Sequence, residues 1–244
     1  SLYEEHRENP GVLEGYARGL VNLTVEADLK ERREIVEGPL KSPYEDHREN
    51  SGIQEQYAGG LVNLSNKAGL IECREIVEGH LKSLHEDHRE NPGVQEQYAK
   101  GLVNLAGKAD LKERREIVEG PLKSLNEDQW GNPGVQEAYA MGLANVTVGA
   151  DLNESREIVE GPLQYLYRAH PENPMVQERY AMGLVNLSAK ADLKKCREIV
   201  EGPLSSLYQD HRENPGVQEQ YAMGLINQIG MADFLEVVPV VLEL

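Results

Sequence analysis

Histidine is the residue of this chain best suited to hold a metal ion, and most of its copies share one position in a repeated pattern. His6, His47, His88, His170 and His211 are separated by multiples of 41 residues, and Gln129 fills the one gap. A metal needs ligands that converge within a few ångströms, whereas one histidine per repeat gives a row spaced by roughly 10 Å, one helix layer. The pattern therefore predicts a solvated histidine ridge and no metal site.

The remaining reactive residues form no catalytic motif. The sequence contains no Gly-rich phosphate loop, no nucleophile motif and no pair of neighbouring cysteines. Because nearly every position is repeated, a unique catalytic group of side chains has no obvious place to form. We therefore predict that the protein is not an enzyme and uses no cofactor. A turnover that depends on a residue found in a single copy, such as Trp130 or His80, would overturn this prediction.

Asparagine recurs once in every copy of the repeat and offers hydrogen bonds. This asparagine column consists of Asn22, Asn63, Asn104, Asn145, Asn186 and Asn227. Residues four apart lie on one side of a helix, so the residue four positions earlier lies beside each asparagine. This variable column reads Arg18, Gly59, Lys100, Met141, Met182 and Met223, and its variation shows that no shared core contact fixes it. Two interpretations of the asparagines stay open, contact with a ligand or hydrogen bonds within the scaffold.

A repeated helical unit must position these columns. The hexapeptide REIVEG starts at Arg33, Arg74, Arg115, Arg156 and Arg197, again 41 residues apart. A fixed period of about 20 to 50 residues is typical of a solenoid, in which each unit buries its apolar face by stacking on its neighbours. The sequence thus predicts a single all-α solenoid domain over residues 1–244. Its six repeats are 1–41, 42–82, 83–123, 124–164, 165–205 and a degenerate last repeat, 206–244.

The first helix of the unit, helix A, is predicted from the Asn-Pro-Gly turn at residue 91, with proline in the first helical turn. Apolar residues then recur at helical spacing as far as Lys108 and predict a buried stripe: Val94, Tyr98, Leu102 and Leu105. Gly101 lies at the edge of that stripe. Because glycine in a helix costs about 1 kcal/mol relative to alanine, its recurrence predicts close approach of another helix.

The second helix, helix B, is predicted to begin at Asp110, because Asp110 and Glu113 have the spacing of a capping box. Asp28 with Glu31, and Asp151 with Glu154, repeat that spacing. Further along, Gly120-Pro121 interrupts the helical pattern, since proline removes a backbone hydrogen bond and crowds the preceding turn. Helix B is therefore expected to be either kinked or split into two short helices.

Parts of this unit resemble two α-solenoid families. Residues 109–113, Ala-Asp-Leu-Lys-Glu, resemble the turn of tetratricopeptide repeats, and residues 166–174 are similar to the end of that family's second helix. Residues 94–97 with 101–106 also resemble the last helix of an armadillo repeat. The tetratricopeptide unit has about 34 residues, so each copy here is longer by about two helical turns. We favour a long tetratricopeptide-like unit, because the capping box starts a helix whose apolar phase continues through the Gly-Pro break, and keep armadillo-like packing as the second choice.

The tetratricopeptide resemblance implies a right-handed superhelix of helical hairpins whose helices A line a concave groove. It implies that the asparagine column hydrogen-bonds an extended peptide or partner helix there, as the Asn ladder of armadillo proteins does. Arg18 and Lys100 resemble part of a carboxylate clamp, whereas Met141, Met182 and Met223 would form an adaptable apolar strip. The resulting hypothesis is a scaffold that binds a protein or peptide through the asparagine column and the variable column.

The charge of the chain argues against some partners. A formal net charge of -17 opposes close approach to phosphate backbones and anionic membranes, and no apolar run is long enough to cross a bilayer. Cys73 and Cys196 lie three copies apart, too far for a disulfide at roughly 10 Å per helix layer. We therefore expect neither nucleic acid nor a membrane as partner and predict a reducing, cytoplasmic compartment.

The last residues depart from the repeated pattern. Asp233 keeps the helix-capping position, but residues 234–244 read FLEVVPVVLEL where earlier copies have a charged helix. This tail is expected to pack on the last repeat, to contact a second copy of the chain, or to have been cut from a longer protein. A structural element that self-assembles through the tail and the open first unit is therefore the alternative function, and it would make the protein a homo-oligomer.

Overall fold

The computed structural model describes the backbone of residues 8–242 and the side chains of residues 8–231. All regular structure within residues 8–242 is helical, with no strand. Long A helices alternate with B helices, as predicted. The A helices are α1 (Pro10–Glu26), α3 (Ser51–Lys67), α5 (Pro92–Lys108), α7 (Pro133–Gly149), α9 (Pro174–Ser188) and α11 (Pro215–Leu242). The B helices are α2 (29–46), α4 (70–87), α6 (111–128), α8 (152–169) and α10 (193–210).

The chain divides into two compact units, Ser1–Ala138 and Tyr139–Leu244, with the boundary inside α7. In the first unit α1, α3 and α5 pack on one another in sequence, and α2 and α4 each pack on the A helices before and after them. In the second unit α9 packs on α11, and α8 and α10 pack on α9. Each unit is a stack of helical hairpins, so the predicted all-α repeat solenoid is confirmed. The division into six repeats within a single domain stays a prediction.

The A helices begin at the Asn-Pro-Gly turn. Asn91 caps α5, because its Oδ1 accepts hydrogen bonds from the backbone N–H groups of Gly93 (3.0 Å) and Val94 (3.3 Å). Pro92 occupies the first turn, where its missing N–H would have had no helical partner. The predicted apolar stripe is buried, with at most 6% of each side chain exposed: Val94, Tyr98, Leu102 and Leu105.

The recurring glycine of helix A lies where a B helix approaches most closely. A Cβ added to Gly101 would lie 2.6 Å from Leu81 Cδ1 of α4. In the second unit, a Cβ on Gly183 would lie 2.6 Å from Leu163 Cδ2 of α8. Both distances are shorter than any carbon–carbon packing contact, so the missing side chain lets the preceding B helix pack against the backbone. The predicted packing reason for this glycine is confirmed.

Aspartate side chains start the B helices α2, α6 and α8 as predicted, whereas Gly69 precedes α4. The capping box is complete at Asp28 with Glu31 and at Asp151 with Glu154. At Asp110 the carboxylate accepts the backbone N–H of Glu113 at 2.9 Å. Each of these bonds satisfies a donor that the first turn of a helix leaves unpaired.

The Gly-Pro position of each B helix forms a π-helical turn. These turns are Val36–Leu40, Glu75–Leu81, Val118–Leu122, Val159–Leu163 and Val200–Leu204. Because α4 has the turn although His80 replaces the proline, proline alone does not cause it. In α8 and α10 the backbone leaves the helical region at the glycine, with φ -101° and ψ -109° at Gly161 and φ -95° and ψ -106° at Gly202. At these two glycines, two helical segments therefore meet across a kink.

The last A helix differs from the others, and one prediction about it is wrong. The helix α11 spans 28 residues, Pro215–Leu242, whereas α5 ends after 17 residues, at Lys108. Asp233 therefore lies inside a continuous helix and does not cap a new one. The segment after it has neither the charged pattern nor the Gly-Pro turn of a B helix, so nothing in it favours a second hairpin. The side chains of the tail lie outside the described residues.

Candidate interaction surface

The asparagine column joins successive A helices. Asn104 of α5 donates from Nδ2 to Ser65 Oγ of α3 (3.0 Å) and to Val62 O (3.3 Å). The Ser65 hydroxyl, which is fully buried, in turn donates to Val62 O at 2.8 Å. A buried hydroxyl needs such partners, since an unpaired one costs about 1–3 kcal/mol. This asparagine therefore stabilises the stacking of α5 on α3.

The same bond recurs at other A helices. Asn63 donates to Thr24 Oγ1 at 2.8 Å, and Asn186 donates to Thr147 Oγ1 at 2.9 Å. At the last A helix, the Nδ2 of Asn227 lies 3.1 Å from Ser188 Oγ. The scaffold interpretation of the asparagines thus accounts for their amide nitrogens. Asn104 is half-buried, and its Oδ1 accepts no hydrogen bond from residues 8–231, so this oxygen can still accept one from a ligand.

One member of the column differs in exposure. Asn22 is exposed, whereas the other five asparagines, Asn145 included, are half-buried. The serine and threonine partners of the asparagines were missed in the sequence, although their signal was present. A hydroxyl residue stands 39 residues before each of four asparagines, at Thr24, Ser65, Thr147 and Ser188.

The variable column lies beside the asparagines and is accessible. Arg18 and Lys100 each form an ion pair with a glutamate of their own helix, at 2.9 Å to Glu14 and 2.5 Å to Glu96. If these cations formed a carboxylate clamp, the carboxylate of the ligand would have to compete with Glu14 and Glu96 for them.

The methionines of the variable column are more open to an apolar ligand. Met141 and Met182 are half-buried, and Met223 is 46% exposed. The Arg179 guanidinium lies 3.9 Å from Met182 Sδ. The middle of α11 adds Ile226 and Ile229, each 60% exposed. The variable column of the second unit is therefore markedly more apolar than that of the first.

The prediction of a solvated histidine ridge is wrong at His88, His170 and His211, which are partly or fully buried, whereas His6 lies outside the described residues. His88 Nε2 lies 3.2 Å from the Tyr44 hydroxyl, and His211 Nε2 lies 3.0 Å from the Tyr167 hydroxyl. In both pairs the two rings meet edge to face, and His170 is buried. These residues hold neighbouring repeats together. No group of side chains that could hold a metal is found among the described residues.

Basic side chains close the carboxyl ends of some A helices, which the sequence did not suggest. Arg32 is buried and donates to Ala27 O at 2.8 Å and to Asn63 O at 2.8 Å. Lys190 donates to Ala150 O at 2.6 Å and to Ser155 Oγ at 3.1 Å, and burial lowers the pKa of its ammonium. Cations at this end of a helix complement its dipole. These basic residues therefore serve the scaffold.

On the opposite side of the first unit, a groove separates α2 from α4. We call it the B-side groove. It comprises two adjoining cavities of about 350 and 410 Å³ that share Lys41, Tyr57 and His80 in their walls. Leu61 and Leu64 of α3 form part of the floor. Nothing in the sequence pattern indicated this groove, because it depends on how far apart two B helices pack.

No protein-family model, curated protein or solved structure matches the chain. No helix among the described residues has both the length and the apolar character to cross a membrane. The candidate surface therefore rests on geometry and on the repeated columns alone.

Proposed function

We propose that this protein is a non-enzymatic interaction module that binds a peptide or a partner helix along its A helices. The observation that supports it most is the direct packing of A helix on A helix. This packing sets the variable column and the asparagine oxygens in a row along each unit. Solenoids use such repeated surfaces for binding. We propose a protein or peptide as the partner, since the net charge of -17 disfavours nucleic acid.

A peptide library displayed on phage and selected on the purified chain tests this function. The best peptide is then titrated into Lys100→Ala and Met182→Ala, which alter the variable column, and into Lys112→Ala, which alters an exposed residue of the B helix α6. We expect at least one column variant to weaken binding about fivefold or more, that is about 1 kcal/mol, and the control to change nothing. A peptide that binds both column variants as tightly as it binds the parent chain would refute the proposal.

Self-assembly is the second candidate, and exposed apolar residues on the outermost A helices favour it. Leu23 of α1 is 61% exposed, whereas the corresponding Leu64 and Leu105 are at most 2% exposed. On α11, Ile226 is 60% exposed, whereas the corresponding Val185 is 7% exposed. Light scattering of the 244-residue chain over a range of concentrations tests this candidate. Association that Leu23→Gln abolishes would support it, and a monomer at all concentrations would reject it.

The finer assignments belong with this proposal. We interpret the hairpins as tetratricopeptide-like, on the capping boxes at Asp28 and Asp151 and on the B helices α2 and α6, which continue through the Gly-Pro turn. We also propose a reducing, cytoplasmic compartment, because Cys73 and Cys196 are both free and buried. Burial raises the pKa of both thiols, which keeps them protonated and unreactive.

A further inference from the structure

A tyrosine hydroxyl that makes no hydrogen bond to the described residues lines the B-side groove. Tyr57 lines both cavities and is only 8% exposed. One face of its ring stacks on Tyr44 at 4.7 Å between centroids. Its hydroxyl has no hydrogen bond among the described residues, whereas the corresponding Tyr180 of the second unit accepts one from Gln164 Nε2 at 3.0 Å. The Tyr57 hydroxyl can therefore hydrogen-bond a ligand in the groove without giving up a bond within the protein.

The walls of the groove carry an excess of negative charge. Five carboxylates line the two cavities, against three side chains of Lys and Arg. The cations are already paired: Arg33 contacts Glu72, Lys41 lies 3.5 Å from Glu45, and Arg48 lies over the Tyr44 ring at 5.8 Å. Glu75 makes no ion pair within residues 8–231, and Glu37 has only a long one, 3.9 Å to Arg33. The unmatched charge of the groove is therefore negative.

The phenol of Tyr57 is neutral and lies close to these carboxylates. Burial raises the pKa of Tyr57 to about 12, and the charges of Glu45 and Glu37 act in the same direction. A cation in the groove would meet a neutral hydroxyl oxygen on the floor and carboxylate oxygens on the walls. All of these atoms accept hydrogen bonds.

We propose that the B-side groove binds an arginine side chain presented by a partner peptide. The guanidinium has five N–H donors in a planar fork, which suits a site with acceptors on several sides. Its methylene stem would cover the apolar floor formed by Leu61 and Leu64. The combined cavities have the size of ordinary ligand pockets, about 300–1,000 Å³. This site lies between the B helices α2 and α4, with α3 as its floor, and includes neither the asparagine column nor the variable column.

An NMR titration of the 244-residue chain tests the proposal. The probe is the blocked tripeptide acetyl-Gly-Arg-Gly-amide, and the matched peptide carries citrulline, which keeps the shape of arginine without its charge. We expect saturable shifts of the Tyr57 and His80 ring signals with the arginine peptide and none with the citrulline peptide. Tyr57→Phe and Glu75→Gln should each weaken the affinity at least threefold.

Two comparisons control for indirect effects. Glu78→Gln removes the same charge from the same helix, α4, at an exposed position that lines neither cavity, and should leave the affinity unchanged. Tyr57→Phe keeps the stacked ring and removes a hydroxyl that makes no hydrogen bond to the described residues, so its melting temperature should remain that of the parent chain. The proposal fails if the ring signals do not shift, if the citrulline peptide binds equally well, or if Glu78→Gln weakens binding as much as Glu75→Gln does.

Discussion

The A helices and the B helices are joined to their neighbours by different contacts. Between α3 and α5, Asn104 donates to a fully buried serine hydroxyl. Between α4 and α6, the polar contact is the ion pair Arg74–Glu113, whose side chains are 43% and 27% exposed. Buried hydrogen bonds impose a fixed geometry, whereas exposed ion pairs contribute only about 0–1 kcal/mol. Of these two contacts the one on the A side is therefore the more deeply buried, and on the B side α2 and α4 leave the space of the B-side groove between them.

The largest effect should come from the core beneath the A helices. Leu105 is fully buried, so Leu105→Ala removes apolar contacts and leaves a cavity at a cost of about 2–5 kcal/mol. Urea unfolding followed by circular dichroism measures it. Lys112→Ala, at a position whose side chain is 88% exposed, should change stability by less than about 0.5 kcal/mol. Equal effects of the two changes would contradict the assignment of the core.

The next largest effect should come from the asparagine column. Asn104→Ala removes the bonds to Ser65 and Val62 and should cost about 1–2 kcal/mol in the same unfolding measurement. Asn22 is exposed and has no hydrogen bond among the described residues, so Asn22→Ala should cost less than about 0.5 kcal/mol. If both variants unfold at the urea concentration of the parent chain, the column does not stabilise the stacking of the A helices.

A smaller effect is expected where His88 meets Tyr44, with Asp87 and Arg48 as its charged neighbours. Burial lowers the pKa of His88 below its ordinary value of 6.5, so the folded chain takes up this proton less readily than the unfolded chain. Its contribution to stability is therefore full above about pH 6.5 and is lost as the pH falls below that value. Urea midpoints are compared at about pH 7.5 and about pH 5.5. Between these two pH values we expect the His88→Gln variant to lose less stability than the parent chain loses. An identical loss would exclude His88 as a cause.

The smallest effect should be on the B side. Glu113→Gln breaks the ion pair with Arg74, and we expect a loss of about 0.5 kcal/mol or less. The loss should shrink in about 1 M salt, because salt screens exposed charges. A loss as large as that of Asn104→Ala would mean that the two sides of the stack are held equally firmly.

The sequence was sufficient to predict those structural features that depend on residues close together in the chain. The caps at Asn91 and Asp28, the buried stripe from Val94 and the close approach at Gly101 all follow from local spacing. The partner of each asparagine lies 39 residues away, so finding it required the register in which the A helices stack. The B-side groove depends on the distance between α2 and α4, which no local pattern encodes. The prediction that Asp233 caps a helix was wrong, because the aspartate recurs at the cap position without the charged helix that follows it in the earlier copies.

The most direct test of the proposed function uses the methionines as probes. The chain has five methionines, three of which belong to the variable column, and their methyl groups can be labelled with ¹³C. When the phage-selected peptide is added, we predict shifts of the methyl signals of Met182 and Met223 that saturate with the measured affinity. Met175, at the start of α9 and outside the column, should not shift. A peptide that binds tightly and leaves the signals of Met141, Met182 and Met223 unchanged would contradict binding along the A helices.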